Sequence, residues 1–156
     1  MTITFHGEGE FKIKCKEGVI CTSEKLQIND MVITRPGEYE IAGISVESID
    51  GIFIFYAEDM NLVYLKRNKI LNDTELEKVE SADILFMPVG KIIEPKIALE
   101  ITNQIEPKIL IPMYYDSMDE LKKIGGISPE AVDQLKISKN LLPQEERKMV
   151  ALNVQK

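Results

Sequence analysis

The chain is poor in histidine and cysteine and has no long apolar run. Of its 156 residues one is histidine, His6, and two are cysteine, Cys15 and Cys21. No stretch approaches the ~20 apolar residues needed to cross a bilayer. The start, Met1 to Phe5, has neither the charged lead nor the apolar core of a secretory signal. These absences point to the cytosol and away from a membrane. Basic residues are also in deficit: 19 Lys and Arg stand against 26 Asp and Glu, a net charge of −7. Nucleic acid is thereby disfavoured as the main ligand, because neutralising phosphates takes a basic surface. Lys12, Lys14 and Lys16 alternate on one strand face, and Lys66, Arg67 and Lys69 form a second small cluster; both read as solvated surface. The chain lacks a Gly-x-Ser-x-Gly elbow and a phosphate-cradling glycine loop, which removes two common catalytic constellations.

What remains is the composition of a globular protein, 44% hydrophobic and 29% charged, long enough for one domain over residues 1–156. The first half reads as short β-strands: 3–5, 11–16, 19–22, 31–34, 39–41, 44–49, 52–56 and 62–66. Gly, Asn, Asp and Pro punctuate them at close spacing. Tight turns are expected at Glu17-Gly18, Ala42-Gly43 and Asp50-Gly51. A two-residue turn at Glu17-Gly18 puts Cys15 and Cys21 on opposite faces and excludes a disulfide; a longer turn leaves them on one face.

The second half changes period. A helix is expected over 73–80 with Asp73 as its cap. "ADILFMPVG" and "PKILIPMYY" are apolar enough to be strands buried on both faces. Pro95 opens a helix between them that runs to about Gln104, making a right-handed crossover with parallel strands. Ser117 and Glu120 form a capping box for a helix over 118–124, ended by Gly125-Gly126. Ser128-Pro129 begins a further helix to about Leu135, and 147–154 returns as a strand. The fold class is α/β (α+β), β-rich first and βαβ second.

Four stretches taken together, "ITFHGEGEFKI", "RPGEYEIAGISV", "ADILFMPVG" and "EPKIALEITNQIEPKILIPMYYD", resemble the metallo-β-lactamase superfamily, and within it small hydrolase-like bacterial and archaeal members of unassigned substrate. The resemblance implies a four-layer αββα sandwich, here shortened, with a metal site at one edge of its two sheets. That chemistry needs a cluster of His and Asp holding one or two divalent ions, which acidify a bound water. The implied positions depart from it. Gly7-Glu8-Gly9 stands where relatives read Gly-His-Ser. The main metal loop, expected between Ile33 and Gly37, is missing. Lys66 or Arg67 replaces a bridging Asp, and Tyr114 replaces a His.

One imidazole cannot stand in for that cluster, so no metal and no other cofactor is expected. His6 itself reads as a partly exposed ring at a strand end. The residual cleft is expected to hold His6, Glu8, Asp59, Tyr114, Tyr115 and Asp116. The leading expectation is a catalytically inert member of the fold, kept for binding a protein partner or for homo-oligomeric assembly. Two alternatives stay open. One is a metal-dependent hydrolase with an oxygen-rich site of His6, Glu8 and Asp59 or Asp116, suited to manganese or magnesium. The other is a small-molecule binding module near Glu8, Tyr114 and Tyr115.

Overall fold

The computed structural model describes residues 1–125, 129 and 131–155. In chain order, five short strands come first: β1 (Thr2–Phe5), β2 (Phe11–Lys14), β3 (Val19–Thr22), β4 (Leu26–Ile28) and β5 (Met31–Ile33). A meander follows: β6 (Gly37–Ile41), β7 (Ile44–Ile49), β8 (Ile52–Ala57) and β9 (Met60–Leu65). The second half supplies α1 (Asp73–Val79), β10 (Ile84–Pro88), α2 (Pro95–Ile105), β11 (Ile109–Met113) and α3 (Met118–Gly125). Four two-residue strands close the chain: β12 (Ala131–Val132), β13 (Leu135–Lys136), β14 (Lys148–Met149) and β15 (Ala151–Leu152).

The strands form a six-stranded sheet, β13-β1-β2-β3-β4-β5, a seven-stranded sheet, β14-β11-β10-β9-β8-β7-β6, and a small β12-β15 pair. Alternation explains how the sheets stack, since successive side chains point to opposite faces. In β1 and β2 the residues Ile3, Phe5, Phe11 and Ile13 turn inward and are buried, while Lys12 and Lys14 stay exposed. They meet Phe55, Leu62, Tyr64, Phe86 and Ile111 of the second sheet in one cluster. Phe11 lies between Phe5 and Phe86, with ring centroids 4.8 Å from each. Each such side chain contributes about 1.5–3 kcal/mol by leaving water.

β10 and β11 are buried on both faces. Their other face packs with Ala98, Ile101 and Ile105 of α2 and Leu121 and Ile124 of α3 in a second cluster. The three α-helices among the described residues all pack on this sheet. Among the described residues no helix covers the outer face of the first sheet, so three of the four expected layers are built; this is where the sandwich is shortened. No described helix is long and apolar enough to cross a membrane.

Most of the anticipated elements form, and β10 and β11 are parallel across α2. Ala42-Gly43 and Asp50-Gly51 turn as expected, with Ala42 at φ 53° and Asp50 at φ 42°. A third two-residue turn, Glu58-Asp59, joins β8 to β9 with both residues at positive φ. Four details differ. The β2–β3 turn is centred on Lys16-Glu17, one residue early, because Cys15 and Gly18 exchange backbone hydrogen bonds of 2.9 and 3.3 Å. Cys21 then pairs with Lys12, so the two thiols still point to opposite faces, and both are free.

Asn72, not Asp73, caps α1: its side chain accepts from the Glu75 N–H, and the Glu75 carboxylate accepts from Asn72 N–H in return. The helix expected from Ser128 to Leu135 is overturned where it is described, since 131–132 and 135–136 are strands that extend existing structure. Ser128 and Gly126 lie outside the described residues. The terminal strand is split, β14 joining β11 and β15 joining β12.

Candidate functional site

The parallel strands β9, β10 and β11 send the segments after them to one edge of the sandwich, where the loop after β1 also arrives. Backbone hydrogen bonds lace these segments together. Val89 N–H donates to Met113 O (2.8 Å), Lys91 N–H to Tyr114 O (3.2 Å), and Tyr114 N–H to Glu8 O (3.2 Å). Tyr114 adopts a left-handed conformation, φ 59°, which is uncommon for a bulky residue and held by these contacts. Gly90, at φ 99°, passes so close to α3 that a Cβ there would lie 1.9 Å from Glu120 Oε2. Glu120 in turn accepts from the N–H of Asp116 (2.8 Å) and of Ser117 (3.3 Å), which is one half of the anticipated capping box.

Buried hydroxyls fix the β1 loop from beneath. The Gly9 carbonyl accepts from Tyr64 Oη (2.6 Å) and Thr22 Oγ1 (2.9 Å), and Thr22 Oγ1 accepts from Phe11 N–H (2.9 Å). Burial pushes the Tyr64 phenol far above its ordinary range, so it remains a donor. The Tyr114 ring lies directly on Gly9, where a Cβ would be 2.5 Å from it. Any larger residue at position 9 would have to displace that ring.

At the centre stands Lys91. Its Nζ is 3.3 Å from Glu8 Oε1 and 3.4 Å from Asp116 Oδ1, and all three side chains are substantially exposed. Hydrogen bonds to Glu8 and then to Asp116 raise the Lys91 pKa, so an ammonium occupies the middle of the edge. Beside it a cavity of about 150 Å³ is lined by Phe5, Glu8, Lys91, Tyr114, Tyr115 and Val154. Burial raises the Tyr115 phenol as well.

Of the anticipated cleft residues, Glu8, Tyr114, Tyr115 and Asp116 therefore come together. His6 and Asp59 do not join them. Strand parity carries the His6 ring to the outer face of β1, where its Nε2 lies 3.1 Å from Thr4 Oγ1. Asp59 sits in the turn that precedes β9, at the opposite end of that strand, within 3.3 Å of Tyr56 Oη. Lys66 donates to Ser23 O and Glu24 O (3.2 and 3.3 Å). Arg67 is buried and clamps Glu75 through two hydrogen bonds of 2.6 Å. Those bonds hold the Glu75 carboxyl down at about 2. Lys91 was the residue that sequence reasoning missed; it lies just beyond the "ADILFMPVG" run, and nothing local marks its partners.

The fold implies a metal at this edge, and the residues there do not fit one. Two exposed carboxylates flank an ammonium, and the nearest imidazole faces away; a divalent ion would meet a like charge there. Among the described residues, the side chains that converge closely enough to ligate an ion are Cys15, Glu17 and Glu58, within 4.8 Å of one another. That group is at the far end of the sandwich. Glu58 already takes the N-terminal ammonium at 3.2 Å and Lys16 N–H at 3.0 Å. Burial, partly offset by a hydrogen bond with the Gly18 backbone, raises the Cys15 thiol and keeps it protonated.

Comparison with known proteins agrees with this architecture. A family model described as β-lactamase superfamily domain matches residues 12–114, about two thirds of the chain. The fold is similar to that of a Thermotoga maritima protein proposed to be a Zn-dependent hydrolase of the metallo-β-lactamase superfamily: TM-score 0.82 at 23% identity, covering 97% of this chain and 98% of that one. It is also similar to a metallo hydrolase from the archaeon Ignicoccus hospitalis (TM-score 0.58, 10% identity, 80% and 90% covered). A metallo-β-lactamase fold protein from Bacillus subtilis matches at TM-score 0.53 and 11% identity, over 78% of this chain and 50% of that one. At these identities the solved structures speak for the fold, and the family match for membership: the chain belongs to the metallo-β-lactamase superfamily.

Proposed function

We propose that this protein is a catalytically inert member of its superfamily that serves as a binding or assembly module, in the cytosol. The observation that carries this reading is the Lys91 ammonium held between Glu8 and Asp116 where the strand-end loops meet. It supplies the positive charge that a divalent ion would supply, without the open coordination positions that activate water. The atypical hydrolase with His6, Glu8 and Asp59 or Asp116 as ligands loses support, because His6 faces away from Glu8 and Asp116, which share Lys91, and Asp59 lies at the other end.

The test is elemental analysis of the purified protein together with a zinc and manganese titration of the wild type, Lys91→Ala and Tyr114→His. Expected are substoichiometric metal in the wild type and no tight binding by either variant. About one metal per chain, removed only by a chelator and lost in Glu8→Gln but not in Cys15→Ser, would overturn the reading.

A further inference from the structure

The helices cover one end of the outer face of β6, β7 and β8, where Ile52 is buried, and leave the end at Tyr56 open. An open groove of about 420 Å³ lies there, its outward-pointing side chains being Glu38, Glu40, Ser45, Glu47, Ile54 and Tyr56. Glu47 is engaged by Lys78 of α1. Glu38 and Glu40 are exposed and have no ion pair among the described residues. They belong to β6, which ends the seven-stranded sheet.

The register shows what this edge offers. Ile41 and Ile44 flank a two-residue turn, with Tyr39 opposite Val46 and Gly37 opposite Ser48. Such a turn is closed by a hydrogen-bonded pair, and bonded and non-bonded pairs then alternate along an antiparallel ladder. Gly37, Tyr39 and Ile41 therefore spend their backbone groups on β7. Glu38 and Glu40 aim their N–H and C=O at the free edge, and their carboxylates share the outer face. One short stretch thus presents two backbone hydrogen-bonding stations, each carrying an anion at two-residue spacing.

We propose that β6 is a docking edge for an extended segment of another protein that carries Lys or Arg at alternate positions. A strand added here bonds to the backbone of Glu38 and Glu40, and its residues opposite them place their side chains on the same face. Cations at those positions meet the two carboxylates. A second copy of β6 in the same position sets Glu against Glu, which is repulsive, so the edge rejects itself while accepting a basic strand. This surface lies across the sheet from Lys91, and its use does not depend on whether that edge is inert.

Three synthetic peptides of about six residues, a usual strand length, test the proposal. One alternates Lys with Val and Thr, one has the same composition with its lysines contiguous, and one replaces Lys by Glu. Backbone amide NMR of the full chain follows the titration at low and high salt. The alternating peptide is expected to shift the Glu38 and Glu40 amides, with binding weakened by salt. The contiguous peptide should bind roughly tenfold more weakly, and the Glu peptide not at all. A Glu38→Lys, Glu40→Lys variant should lose the alternating peptide and accept the Glu peptide instead. Equal binding of the alternating and contiguous peptides would show a diffuse charge effect and overturn the docking edge. Absence of binding by all three, unchanged binding by the double variant, or self-association through β6 would overturn it as well.

Discussion

Arg67 and Lys91 both follow the carboxyl end of a parallel strand, the first after β9 and the second after β10, yet their surroundings are opposite. The Arg67 side chain is 7% exposed and grips a carboxylate that itself caps α1. The Lys91 side chain is 43% exposed and spans two carboxylates that are more exposed still. Arg67 has become scaffold. Its guanidinium also reaches the carbonyl oxygens of Asp50 and Ile70, tying the β7–β8 turn to the start of α1. Lys91 sits on a scaffold that other residues build, and a site of that kind can change its charge at little cost to the fold.

The largest effect should come from breaking the buried member of this contrast. Arg67→Met leaves the Glu75 carboxylate inside without its partner, and such a loss costs about 3–5 kcal/mol. Equilibrium denaturation checks it, and a loss below about 1 kcal/mol would mean that the two cations differ less than their burial implies. Next in size is Tyr114→Ala. It removes the ring that lies on Gly9 and should destabilise the fold by about 2–4 kcal/mol, as other large aromatic truncations do.

The Arg67–Glu75 pair also sets an acid limb. Glu75 is held at about 2 in the folded chain, below the ~4.3 of a free glutamate. Its contribution is therefore fully present above the unfolded value and fades as the pH falls from about 5 towards 2. Glu75→Gln should be less stable at neutral pH and should lose less on acidification than the wild type; parallel pH profiles would refute the assignment. The smallest effect is expected for Lys91→Ala. The denaturation midpoint should stay unchanged at moderate salt, since exposed pairs are screened and mobile.

Much of the fold was legible because local chemistry carries it. Asp50-Gly51 and Ala42-Gly43 announce their turns, and the unbroken apolar runs of β10 and β11 announce burial on both faces. β4 was missed because it is three residues long and only Leu26 and Ile28 mark it. The supposed helix after Ser128 followed a local signal, but the pairing of 135–136 with β1 prevails, a contact between distant parts of the chain. The site divides in the same way. Glu8, Tyr114, Tyr115 and Asp116 came from a resemblance that fixes which loops meet at the edge. The His6 error was avoidable: with Ile3 and Phe5 turned inward, strand parity sends Thr4 and His6 outward. Asp59 required strand direction, which places it before β9 rather than after. Lys91 required the partner across 83 positions of sequence that only the folded chain supplies.

The three two-residue turns of the β6–β9 meander bear on the order of folding. Each joins neighbouring strands with almost no chain to close, so their pairing has low contact order and little loop entropy to overcome. Both sheets wait on distant strands, the first on residues 135–136 reaching β1 and the second on 148–149 reaching β11. The meander is thus set to form early and template the rest. Ala42, which holds φ 53° without being glycine, offers a handle on that step: Ala42→Gly relieves the strain at a turn made in the nucleus. Refolding should accelerate, while the unfolding rate changes little.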